Sequence, residues 1–175
     1  TPGVDGVKAL SHEKKIELAY QLKLDGKSKA IQRVYIPRVE KKKIGMRPLG
    51  IPTIEDRAKQ MLAKIALEPE WEAKFEPNSY GFRPGRSCHD AIAAIFLSLR
   101  GKTRFVLDAD IHKCFDKMDH SKLLQKLDTF GQMETQIESW LKADIMVGYQ
   151  NKPDEVTQSL EDTPQGEILS PLLAN

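Results

Sequence analysis

Arg104-Phe105-Val106-Leu107-Asp108-Ala109-Asp110-Ile111-His112-Lys113-Cys114-Phe115-Asp116 sets the frame for the rest of the chain. Its apolar positions Phe105, Val106, Leu107 and Ile111 predict a buried central strand over 103–110. Asp108 and Asp110 stand two residues apart, so a strand places both on one face. A buried carboxylate without a partner is costly, so an acid at the exit of an apolar strand calls for a cation. Mg²⁺ suits such a place, because it takes a few carboxylates and leaves its other positions to phosphate and water. A cap for the following turn, or a pair with a lysine, would use the same acids.

Outward from this stretch, charge is the next signal. The chain has 175 residues and a net charge of only +2. Lys23 to Arg47 nevertheless holds nine basic residues against two acids, a local +7, which leaves −5 for the remainder. A concentrated basic segment marks a polyphosphate or nucleic-acid partner, or else a solvated lysine-rich hairpin. The two cysteines, Cys88 and Cys114, are far apart and outside any CxxC pair. They point to a reducing compartment and away from zinc. His89, His112 and His120 have no metal-ligand spacing. No signal peptide and no apolar run near membrane length is present, so the expectation is a cytoplasmic protein with no membrane partner. The chain opens at Thr1-Pro2-Gly3 and ends at Asn175 inside an apolar run, which reads as a piece of something longer.

Ser11 caps a helix carrying Ile16, Leu18, Ala19 and Leu22. Residues 31–51 form a basic hairpin, with Lys41-Lys42-Lys43-Ile44-Gly45 at its turn. Thr53 and Asp56 open a helix over about 54–74, with Ile54, Ala58, Met61, Leu62, Ile65 and Ala66 as its apolar stripe. Pro69 should end or kink it. Residues 76–87 form a Gly- and Pro-rich loop in which Arg83 and Arg86 interleave with Tyr80 and Phe82. That pattern suits base stacking and phosphate contact, and equally a packed Ω-like loop. Ser87 and Asp90 open a helix over 87–99, with Ala91, Ile92, Ile95, Phe96 and Leu99 inward. Ser121 caps a short helix to about Asp128, and Glu134 to Ile145 is amphipathic. Met146–Gln150 and Glu155–Ser159 pair as a hairpin, and a last helix begins near Ser170. Helices with few strands predict an α+β fold, the helices packed on a small antiparallel sheet.

Four blocks stand out: Arg47-Pro-Leu-Gly-Ile-Pro-Thr-Ile-Glu-Asp-Arg57, Asn78-Ser-Tyr-Gly-Phe-Arg-Pro-Gly-Arg-Ser-Cys-His-Asp-Ala91, the opening stretch, and Thr163-Pro-Gln-Gly-Glu-Ile-Leu-Ser-Pro-Leu-Leu-Ala-Asn175. Together they resemble group II intron-encoded reverse transcriptases. They come in the family's order and span almost the whole chain. The resemblance implies a right-hand polymerase: a fingers lobe over 1–100 and a partial palm over 101–175. It implies RNA-directed DNA synthesis, a nucleotidyl transfer with two Mg²⁺ ions, an RNA template, a DNA primer and a dNTP.

By the same resemblance, Asp110 and the Ile111 carbonyl are metal ligands, and Asp110 is the catalytic aspartate; Asp108 is structural. Arg47 grips the triphosphate, with Arg38 (by motif) or Lys41 (by spacing) as the second contact. Phe115 packs under the sugar and selects deoxynucleotides, or simply packs in the core. Gln165 touches the nucleotide and Gly166 lets the backbone approach. Lys42, Lys43, Arg57, Arg83 and Arg86 face nucleic acid. Glu167 stands where the family usually has a second glycine. No Tyr-x-Asp-Asp occurs in these 175 residues, and no thumb or maturase domain, so this stretch alone is expected to be inactive and its uncovered apolar faces to self-associate. A second expectation is an intron RNA-binding (maturase) role, resting on the basic hairpin and the N-terminal region. A third is a domesticated relative that keeps the fold for another task.

Overall fold

The structure, a computed structural model, describes residues 1–40, 43–101, 103–111, 114, 117–149, 152–157 and 166–175; the side chains of 38–40, 43–44, 148–149 and 152–157 lie outside the description. Helix α1 (His12–Gln21) starts at Ser11, whose hydroxyl accepts the Lys14 N–H at 3.4 Å. Strands β1 (Ile31–Glu40) and β2 (Lys43–Ile51) form the expected hairpin, in register from Gln32↔Ile51 to Glu40↔Lys43.

Helix α2 (Ile54–Lys74) is fixed at its start by Thr53. The Thr53 hydroxyl donates to Asp56 Oδ2 at 2.7 Å and accepts the Asp56 N–H at 3.2 Å. Contrary to expectation, Pro69 lies inside this helix and does not end it. Pro69 and Ile65, whose carbonyl loses its donor, are both exposed, so water can take the freed carbonyl. Helix α3 (Cys88–Leu99) opens on a complete capping box between Ser87 and Asp90. Helix α4 (His120–Leu127) is capped by Asp119, two residues earlier than predicted, with Asp119 Oδ1 accepting the Lys122 N–H. Helix α5 (Gly131–Leu141) leads to β3 (Ile145–Tyr149) and β4 (Lys152–Thr157), and α6 (Ser170–Ala174) closes the chain.

The fold is α+β, as the alternation of elements predicts. The four strands lie in the order β2-β1-β3-β4. The sheet is mixed, where an antiparallel one was expected: β1 and β3 run parallel, with Ile31↔Ile145 and Arg33↔Val147 as partners. About a hundred residues, β2 among them, separate the two strands, more than enough for the crossover a parallel pair requires. Burial of Ile31 and Ile145 at adjacent strand starts, with the Ile31 N–H donated to the Asp144 carbonyl at 2.7 Å, sets that register.

The core joins α2, α4, α5 and α6 through Ala63, Leu67, Leu127, Met133, Ile137, Trp140, Leu141, Leu169 and Leu172. The predicted stripe of α2 is corrected. Its buried face is Asp56, Lys59, Gln60, Ala63 and Leu67, while Met61, Leu62, Ile65 and Ala66 are exposed. Polar residues can occupy that face because each finds partners: Lys59 Nζ meets Asp25 at 2.9 Å and Glu55 at 3.2 Å. Burial alone would lower the Lys59 pKa, but these two carboxylates more than offset it and raise it.

Two further expectations fail in the same manner. The stretch 103–110 is not a strand, and Phe105, Val106 and Leu107 are 74–106% exposed. Helix α3 buries none of its residues, and Ile92, Ile95, Phe96 and Leu99 face solvent. A strand holds through cross-strand partners and a covered face, and no described strand pairs with 103–110.

Candidate functional site

A cleft of about 780 Å³ lies between the β1–β2 hairpin, the 76–87 loop and the segment leading into α6. Period-2 alternation builds its first wall. Ile36 and Arg47 are cross-strand partners, and Leu49 is two residues beyond Arg47, so all three share one face of the hairpin. Gly166 supplies the opposite wall with a φ of +112°. A Cβ there would stand 2.6 Å from Leu49 Cδ1 and 2.9 Å from the Gly50 carbonyl oxygen. Only glycine allows that approach. Arg47 and Gly166, 119 positions apart in sequence, thus line one cavity.

The third wall is the 76–87 loop, fastened at two points. Arg83 is buried, with Nε on both Glu72 carboxylate oxygens at 3.0–3.1 Å and Nη2 on Glu72 Oε1 at 2.7 Å. Its remaining donors go to the carbonyls of Glu76 (2.7 Å), Ser79 (2.9 Å) and Glu72 (3.3 Å). Its guanidinium also stacks over Phe75. Hydrogen bonds from Arg83 hold the Glu72 carboxyl below the usual range. Every donor of the Arg83 fork is engaged, so this arginine organises the loop and has none left for phosphate. Asn175 makes the second fastening: Ser79 Oγ donates to its Oδ1 at 2.9 Å, and its Nδ2 donates to the Gly81 carbonyl at 3.1 Å. Sequence reading missed this role for Asn175, because nothing local marks a contact 94 residues away.

Arg86 remains at the loop surface, stacked on Tyr80 and donating to the Pro77 carbonyl at 2.6 Å. Phe82 lines the cleft at 83% exposure with φ +57°, a conformation costly for a bulky side chain. Behind Gly166, Glu167 is buried among Asp56 and Gln60 on α2 and also lines the cleft. Arg57 lies on another face of α2, along a groove shared with Lys8 and Lys15, and its buried Nε has no hydrogen-bond partner among the described residues.

Asp110 and Ile111 are solvent-exposed and do not line the cleft. Arg38 pairs with Gly45 and Lys43 with Glu40 in the hairpin ladder. The side chains of both, together with Lys41, Lys42, Phe115 and Gln165, lie outside the described residues. Among the described residues no three His, Cys, Asp or Glu side chains converge. One carboxylate and one carbonyl are too few donors to hold two Mg²⁺ ions, so these residues do not by themselves fit a metal centre. Among the described residues no helix is long and apolar enough to cross a membrane.

The order of the four blocks, the α+β fold and the hairpin-walled cleft define a class. Residues 39–175 match the reverse transcriptase (RNA-dependent DNA polymerase) family, and the chain belongs to it. Within that class the proteins it is similar to include some encoded in introns. The group II intron-encoded protein LtrA of Lactococcus lactis subsp. cremoris is 39% identical over 93% of this chain and 27% of its own length. Protein YkfC of Escherichia coli (strain K12) is 36% identical over the whole chain and 47% of its own length. An uncharacterized 91 kDa protein in the cob intron of Schizosaccharomyces pombe is 38% identical over 78% of the chain and 17% of its own length. The chain therefore spans between about a sixth and a half of these relatives.

Proposed function

We propose that this chain is the fingers lobe (1–100) and the front of the palm (101–175) of a group II intron RNA-directed DNA polymerase. Its parent adds dNTPs to a DNA primer on an RNA template. The observation that carries the reading is the cleft joining Arg47 to Gly166. A planar guanidinium on a strand can grip a triphosphate with paired donors, and the missing side chain at Gly166 lets the opposite wall seat on β2 beside it. Asp110, exposed at the end of 103–110, is the proposed catalytic and metal-binding aspartate, with the Ile111 carbonyl beside it. The ligand count leaves this stretch alone without the means to hold both ions, and it is proposed to be inactive by itself.

A second reading, that the lobe chiefly holds intron RNA, is favoured by the +7 charge from Lys23 to Arg47. The two separate experimentally. In the parent, Asp110→Ala abolishes primer extension on an RNA template and leaves RNA affinity within about twofold, since one carboxylate adds nothing to phosphate neutralisation. Removal of Lys41–Lys43 weakens RNA affinity and flattens its salt dependence by up to about three in log–log slope. Wild-type extension by the Asp110→Ala parent would remove the polymerase site from this residue.

A further inference from the structure

Glu167 is 7% exposed at the edge of the cleft, between two residues whose backbones are fixed. Gly166 on one side is pressed against Leu49 and Gly50 of β2. On the other side the Ile168 N–H donates to Gln60 Oε1 at 3.1 Å, and Gln60 is fully buried. The carboxyl therefore cannot move far while the backbone on both sides stays seated.

Its neighbours are unusual for an acid. Asp56, on the same buried face of α2, accepts hydrogen bonds from the Thr53 hydroxyl (2.7 Å), the Lys29 N–H (3.3 Å) and Trp140 Nε1 (3.4 Å). A charged Glu167 would therefore face the carboxyl of Asp56 across a buried contact. The Gln60 amide stands near enough to favour ionisation, yet among the described residues Glu167 Oε1 and Gln60 Nε2 each lack a hydrogen-bond partner. The cations around the site are committed elsewhere or lie across other elements. Lys59 pairs with Asp25 and Glu55, Arg57 borders the groove beyond Ile168, and Arg47 lines the far wall of the cleft. Burial first, and Asp56 second, push the Glu167 carboxyl up to about 8. The group is therefore a neutral acid near pH 7.

We propose that Glu167 is a proton-gated positioning residue: with its proton it packs on α2 and keeps the Gly166 wall seated on β2, and without it the carboxylate turns into the cleft and unseats that wall. Burying an ion beside Asp56 costs more than exposing it, and the cleft is the nearest water. The gate depends on the cleft and not on what fills it. Its consequence for nucleotides, weaker triphosphate binding above about pH 8 as a new charge enters the cleft, rests on the polymerase reading above.

The test is a carboxyl and amide NMR titration of this chain, labelled at glutamate and glycine, from about pH 6 to about pH 9, a span that brackets the raised value. The Glu167 carboxyl is expected to titrate with a midpoint near 8, and the Gly166 amide to shift with the same midpoint. In Glu167→Gln the Gly166 amide stays constant over the same range. A Glu167 carboxyl already ionised at the acid end of that range, as one with its ordinary 4.5 would be, or a Gly166 amide indifferent to the carboxyl, overturns the proposal. The wild-type titration decides the matter even where Glu167→Gln fails to fold. A parent that binds no dNTP would remove the polymerase reading and leave this result standing.

Discussion

At Gly166 the main chain comes so close to β2 that a single methyl group has nowhere to go. Both the φ of +112° and the 2.6 Å distance to Leu49 Cδ1 act against any other residue. Gly166→Ala is expected to lower unfolding free energy by about 1–3 kcal/mol, read from denaturant midpoints at unchanged slope. An alanine variant as stable as wild type would mean that the hairpin does not seat on this glycine. The sequence reading expected this glycine to let the backbone approach a nucleotide; the approach seen is to Leu49 and Gly50 of β2, which no local signal marks. The use of Glu167 was not legible. Its burial depends on Asp56 and Gln60, more than 100 positions earlier, and no spacing rule connects them. Arg83 was legible only as one of two alternatives. Basic and aromatic residues interleave in a packed loop and in a stacking platform alike, and only the count of engaged donors separates the two.

Among the elements, three of the four expected caps are found, and at α4 Asp119 takes the place expected for Ser121. Ser11, Thr53 and Ser87 each bond a backbone N–H within three residues. Burial was read less well. An apolar stripe says that a helix has a face to cover, and the partner decides which face is covered. On α2 the partners are Trp140, Asp25 and Ile168, and they take the polar side. The 76–87 loop offers a test at this scale. Arg83→Lys keeps the charge and loses the fork, so the loop is expected to open, with faster tryptic cleavage at Arg86 and a lower melting temperature. Unchanged cleavage would show that Asn175 alone holds the loop. The contact also has a pH sign. Glu72 is held below its ordinary 4.5 by Arg83, so its contribution is complete above that value and is lost as pH falls through the lowered one.

For the whole molecule, the uncovered apolar surface is the main consequence of the fold. Helix α3, the outer stripe of α2 and Phe105–Leu107 all present large side chains to water. Surfaces of that kind associate, and light scattering of this chain is expected to show mass rising with concentration. A strict monomer at high concentration would count against it. The 103–110 stretch had every sequence property of a buried strand and became an exposed segment, because a strand is completed by a neighbour. The nucleotide cleft is the claim on which the proposed function turns. Its most direct measurement is the dNTP dependence of primer extension by the parent carrying Arg47→Ala. The predicted result is a KM for dNTP raised roughly tenfold to a hundredfold with RNA affinity unchanged, the loss of about 1.5–3 kcal/mol given by charged hydrogen bonds. An unchanged KM for dNTP would contradict it.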